Sequence, residues 1–170
     1  MTAISILFVY KRNEENMHNL MTSRITTIQA FVERQARTAT SWQDLNTPEF
    51  TVQLENIGNT TKSDITIYTP GGKVFKSTTP EVFERMIMGS RLDEEAYHNI
   101  RDLHQRFFIH REKVTDYSYW ALYAPIFNDN GQMIAIISVP YTDRNFDFRR
   151  EAFFHGALIF NIFLLLLIGS

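Results

Sequence analysis

The stretch that most constrains this chain is Phe153 to Ile168, FFHGALIFNIFLLLLI, which carries no formally charged side chain. As a helix it would cover roughly 24 Å at about 1.5 Å per residue. A bilayer core is about 30 Å thick and takes about 20 residues. Isoleucine, leucine and phenylalanine fall on every side of such a helix, so it lacks the one-sided pattern of a surface helix. We expect the start of a transmembrane helix, truncated where the chain stops. The opening residues MTAISILFVY are also apolar. A signal-peptide core or a buried helix start would look similar, but no small-residue cleavage site follows. The end of a first transmembrane helix is the favoured reading. Lys11 and Arg12 flank one run, and Arg149 and Arg150 the other. Both pairs would pull the intervening domain toward the cytoplasm, but the rule compares both flanks of each run and the outer flanks are missing, so charge alone does not orient the chain.

The chain's 170 residues are enough for one core. A hydrophobic share of 44% with 21% charged residues excludes wholesale disorder. A net charge of −2 gives no pull toward nucleic acid, and none is expected as a partner. The absence of cysteine excludes disulfides and thiol chemistry.

From Asn13 to Thr38 there is no proline or glycine, and apolar residues recur at steps of three and four. Met21, Ile25, Ile28 and Val32 form a heptad-like stripe. That stripe can pack on its own domain or on a twin helix in a dimer. Thr47-Pro48-Glu49 and Thr79-Pro80-Glu81 each place a hydroxyl at a helix N-cap, proline at the first position and an acid in the first turn. The expected stops are Gly58 and Gly89. Between them, Asp64–Thr69, the turn Pro70-Gly71-Gly72 and Lys73–Lys76 predict a hairpin. A helix is expected over Asp93–Arg106. Strands follow over Phe107–Val114, Tyr119–Phe127 and Gln132–Pro140, the last pair closed by Asn128-Asp129-Asn130-Gly131. These last two strands are apolar on both faces, so something must cover each side of the sheet. The fold class is α+β: a long N-terminal helix packed on an antiparallel sheet, between truncated membrane helices.

No catalytic constellation is present. Gly71-Gly72 lacks phosphate-loop spacing, and neither G-x-S-x-G nor H-E-x-x-H occurs. His98, His104 and His110 are spaced by six, which does not stack ligands on one helix face, so no metal site and no cofactor is expected. For a ligand the polar candidates are Arg106, His110, Tyr119, Tyr123 and Tyr141, with Tyr97 and Arg101 approaching from the helix. Arginine with tyrosine suits a carboxylate or other small anion. Core tyrosines and surface ion pairs are the plainer reading. Asn161, deep in the terminal run, is a candidate interhelical hydrogen bond in a dimer.

The order of elements resembles the extracytoplasmic PAS-like, or single Cache, sensor region of membrane histidine kinases, and more narrowly those of Bacteroides-type bacteria. The residues that carry the likeness are Asp64–Phe75 (DITIYTPGGKVF), Ser77–Phe83 (STTPEVF) and Tyr123–Ile137 (YAPIFNDNGQMIAII). The resemblance implies a homodimer in the inner membrane, its globular domain in the periplasm, that relays a small-molecule or protein stimulus to kinase domains beyond Ser170. The segment would then not itself be an enzyme. The expected division is 1–10 as the end of the first membrane helix, 11–40 as the long helix, 41–148 as the sensor and 149–170 as the exit helix. A bitopic envelope scaffold, or the sensor of a chemoreceptor or cyclase, would share these features.

Overall fold

The computed structural model describes residues 3–84, 89–114 and 117–141. Helix α1 spans Ala3–Ala36. A 3-10 turn at Trp42–Leu45 leads into α2, Pro48–Thr61, where the Thr47 hydroxyl accepts the Phe50 N–H at 3.1 Å. Strands β1 (Thr66–Tyr68) and β2 (Val74–Ser77) form the hairpin. A short α3, Glu81–Glu84, follows, then α4, Glu94–Tyr97, which widens into a π-helical turn over His98–Asp102. Strands β3 (Phe108–Val114), β4 (Tyr117–Phe127) and β5 (Met133–Tyr141) complete the chain's described part.

The five strands make one antiparallel sheet in the order β2-β1-β5-β4-β3. The hairpin, first in sequence, therefore docks on the edge of β5, the last strand in sequence, which makes β4 and β5 interior strands. Both central strands are covered on two sides, as their apolar faces require. Behind the sheet lies α1. Met21, Ile25, Ile28 and Val32 are at most 3% exposed and pack with Ile67, Leu122, Ala124, Ile126 and Ile137. The stripe with a dimer reading is thus spent on its own domain; its spacing matches a flat sheet as well as a second helix. The buried Gln29 amide donates to the carbonyl of Pro125 at 2.9 Å, locking α1 to β4. In front of the sheet lie Leu92, Ala96 and Ile100, brought there by the loop before α4, α4 itself and the π-helical turn.

Two expected helix ends move. Gly58 does not stop α2, which runs on to Thr61 with Lys62 in the left-handed region at φ 50°. A Cβ on Gly58 would stand 3.1 Å from the Ser63 carbonyl and 3.3 Å from the Thr78 methyl, so this glycine serves close packing. The helix expected over Asp93–Arg106 stops at Asp102, because His104 turns left-handed at φ 51°. Among the described residues no helix is long and apolar enough to cross a membrane. Phe153–Ile168, Asn161 and the exit helix expected over 149–170 lie outside the described residues, as do residues 85–88 before the stop expected at Gly89.

Candidate functional site

Strand alternation builds the front face. On β3, Phe108, His110 and Glu112 point the same way, and each stands directly opposite a β4 residue: Tyr123, Ala121 and Tyr119. Tyr68 of β1 joins them across β5, opposite Ile136. The cover comes from the segment before β3. Leu92 N–H donates to the Gly72 carbonyl at 2.7 Å, and Lys73 bridges to Arg91, so residues 90–92 are stitched to the tip of the hairpin. From there Asp93 caps α4, its Oδ1 accepting from the N–H groups of Glu95 and Ala96 at 2.9 and 3.2 Å.

The polar groups of this face meet where the α4 cap reaches β3. The Tyr123 hydroxyl donates to Oε1 of Glu112. The His110 ring stacks on Phe108, with centroids 5.8 Å apart and planes at 17°. Its Nε2 lies 3.6 Å from Oδ1 of Asp93, and its Nδ1 lies 3.4 Å from Oε2 of Glu95. Asp93, His110 and Glu112, all partly buried, each offer a ligand atom within 4.8 Å of the others. Burial raises the pKa of Tyr68, Tyr119 and Tyr123 above the ordinary phenol range. The Glu112 charge adds to this in all three, and the Tyr119 phenolate to the first and last. These phenols therefore stay protonated at physiological pH and act as donors.

Of the sequence candidates, His110, Tyr119 and Tyr123 come together here. Tyr141, paired with Trp120, packs with the α1-side cluster. Arg106 is exposed, its guanidinium 5.5 Å over the Phe107 ring on that same side and close enough to Glu33 to favour its anion. Arg101 donates to the Pro70 carbonyl at 2.6 Å and stacks on Tyr97, which covers Gly72. With Arg106 on the other face, the anion-binding reading loses its central cation. Front-face chemistry is instead two carboxylates and an imidazole beside phenol donors, with Glu95 at the rim. Sequence reasoning missed Tyr68, Asp93 and Glu112 as site residues. The alternation Phe108, His110, Glu112 was a readable signal for Glu112. Nothing local to Asp93 signals that its cap position will fold over β3.

No curated protein matches the chain significantly. Among solved structures, the periplasmic sensory domain of the Campylobacter jejuni chemoreceptor Tlp1 is similar, with a TM-score of 0.51 at 17% identity over 80% of this chain and 57% of that one. The sensor domain of the V. cholerae histidine kinase DctB gives a TM-score of 0.44 at 11% identity, over 77% of this chain and 56% of that one. The chain thus spans a little over half the length of these two domains. The family model described as "Single cache domain 3" matches residues 43–152, the greater part of the sequence, and the chain therefore belongs to the single Cache domain 3 family of sensor domains.

Proposed function

We propose that this chain is the extracytoplasmic sensor of an inner-membrane histidine kinase, carried in the periplasm between two membrane helices and joined to kinase domains encoded beyond Ser170. The observation that supports it most is the two-sided covering of one sheet. The front cover, Leu92 to Ile100, and the back cover, α1, share β4 and β5 as their common floor. A stimulus held between front cover and sheet changes the packing under α1 and the direction of β5. Residues 1–10 lead into α1, and β5 leads on toward 149–170 and the apolar run 153–168. Both expected membrane ends are thus tied to the domain that meets the stimulus, with 41–148 as the sensing unit. Binding shifts such a pair of states only by its difference in affinity for them.

The same arrangement serves a chemoreceptor, and the likeness to the Tlp1 sensory domain keeps that as the second reading. The sequence encoded after Ser170 separates the two. A helix with a phosphoacceptor histidine and an ATP-binding domain, with ATP-dependent histidine phosphorylation in membrane vesicles, supports the kinase. A methyl-accepting coiled coil supports the chemoreceptor, and an early stop codon sinks both.

Dimerisation belongs to the same proposal. Because Met21, Ile25, Ile28 and Val32 are occupied by the sheet, the seam available to a second copy is the neighbouring stripe Leu20, Arg24, Thr27 and Phe31, which is exposed or half-buried. Asn161 would extend contact into the membrane. Cysteines at Leu20 or Thr27 are expected to cross-link in membranes, and a cysteine at Ile25 is not. Cross-linking at neither exposed position would remove the parallel α1 pair.

A further inference from the structure

We propose that the front face carries a binding site for a divalent transition-metal ion, with Asp93, His110 and Glu112 as its ligands. The inference deepens the sensor reading by naming what the face binds. It rests on that reading only for what binding would signal. Each of the three side chains keeps a spare atom. Oδ1 of Asp93 is occupied by two N–H groups of α4, leaving Oδ2. Oε1 of Glu112 is occupied by the Tyr123 hydroxyl, leaving Oε2. Nδ1 of His110 faces the Glu95 carboxylate, leaving Nε2 toward Asp93. Each ligand is thus held at one atom and presents another. A carboxylate behind an imidazole is the usual partner of a metal-bound histidine, because it sets the tautomer and the ring direction.

The donor set also fits the ion. Two carboxylates neutralise a dication, and an imidazole favours a transition metal over magnesium or calcium. Zinc bonds of about 2.0–2.2 Å put tetrahedral ligands roughly 3.4 Å apart. One ligand atom of each residue lies within 4.8 Å of the others, and His110 Nε2 already lies 3.6 Å from Oδ1 of Asp93, so the carboxylate that carries Oδ2 stands beside the imidazole. Side-chain movement of about an ångström closes the set, leaving a fourth position for water or a stimulus molecule. Asp93 belongs to the cover and His110 and Glu112 to the sheet, so the ion would pin α4 to β3.

The test is zinc titration of the full chain in detergent, followed by cobalt as a spectroscopic probe. One saturable zinc per chain is expected, with cobalt absorption of a four-coordinate nitrogen–oxygen site. Glu112→Gln, which keeps the Tyr123 contact, and Asp93→Asn, which keeps a good N-cap, are each expected to weaken zinc at least tenfold. His110→Asn should do the same. Tyr123→Phe should weaken it by about tenfold without changing stoichiometry, as outer partners of metal ligands do. His98→Gln, at the exposed pair with Asp102, is the control and should bind as the parent does. Unchanged affinity in both Glu112→Gln and Asp93→Asn, or no saturable binding by the parent chain, overturns the site and leaves an ion-pair cluster around His110. Zinc bound as expected with no change in output of the intact receptor keeps the site and overturns its role as the stimulus.

Discussion

The Tyr123 hydroxyl donates to a half-buried carboxylate, Glu112, whose charge in turn helps keep three neighbouring phenols protonated. A hydrogen bond to a charged group contributes about 1.5–3 kcal/mol. Tyr123→Phe should therefore lower unfolding free energy by about 2 kcal/mol in urea melts, and a change under about 0.5 kcal/mol would show that Glu112 finds another donor. Glu33 behaves differently. Burial raises its pKa, and this outweighs the Gln29 amide, the Phe127 N–H and the Arg106 charge, which all favour the anion. The folded chain thus keeps the Glu33 proton to higher pH than the unfolded chain does, so this group loses stability as pH rises through that interval. Glu33→Gln should be more stable than the parent at pH 7 by a few tenths of a kcal/mol, since much of the group is solvent-screened. The advantage should vanish by about pH 3, well below the ordinary glutamate pKa, where the carboxyl is protonated in both states. Melting curves at the two pH values check this.

At the scale of elements, caps and turns behave as local chemistry dictates, and helix ends do not. Thr47 caps α2 as its hydroxyl and the following proline require. The hairpin turns at Gly72 with φ +78°. A Cβ at Gly72 would also stand 3.0 Å from the Tyr97 ring, so conformation and contact both demand glycine there. Gly72→Ala is expected to cost about 2 kcal/mol and to loosen α4, because Tyr97 must move off the turn. Hydrogen exchange at the Leu92 and Tyr97 amides, bonded to Gly72 and Asp93 carbonyls, reads that loosening. Protection unchanged from the parent would show that α4 holds without the hairpin. Gly58 was legible as a glycine of consequence, but its consequence is the returning chain at Ser63 and Thr78 rather than helix termination.

For the whole molecule, the sheet is the shared floor of two clusters, and α1 is the larger cover. Ile28 is fully buried against it. Ile28→Ala should cost about 2–5 kcal/mol in urea melts. If the stripe belonged to a dimer seam instead, the loss would depend on protein concentration, and a concentration-independent loss places it in the core. The local pattern of the chain determined much of this protein: the long helix, the hairpin, the three last strands and the need to cover a sheet on both faces all follow from periodicity and turn residues, which act within a few positions. Tertiary structure alone decided which cover lies on which face. It sent Arg106 and Tyr141 to the α1 side, and it folded the cap of α4 over β3 so that Asp93 meets His110 and Glu112. Such meetings depend on strand order and on where a loop is stitched, contacts between residues far apart in sequence, and no spacing along the chain encodes them.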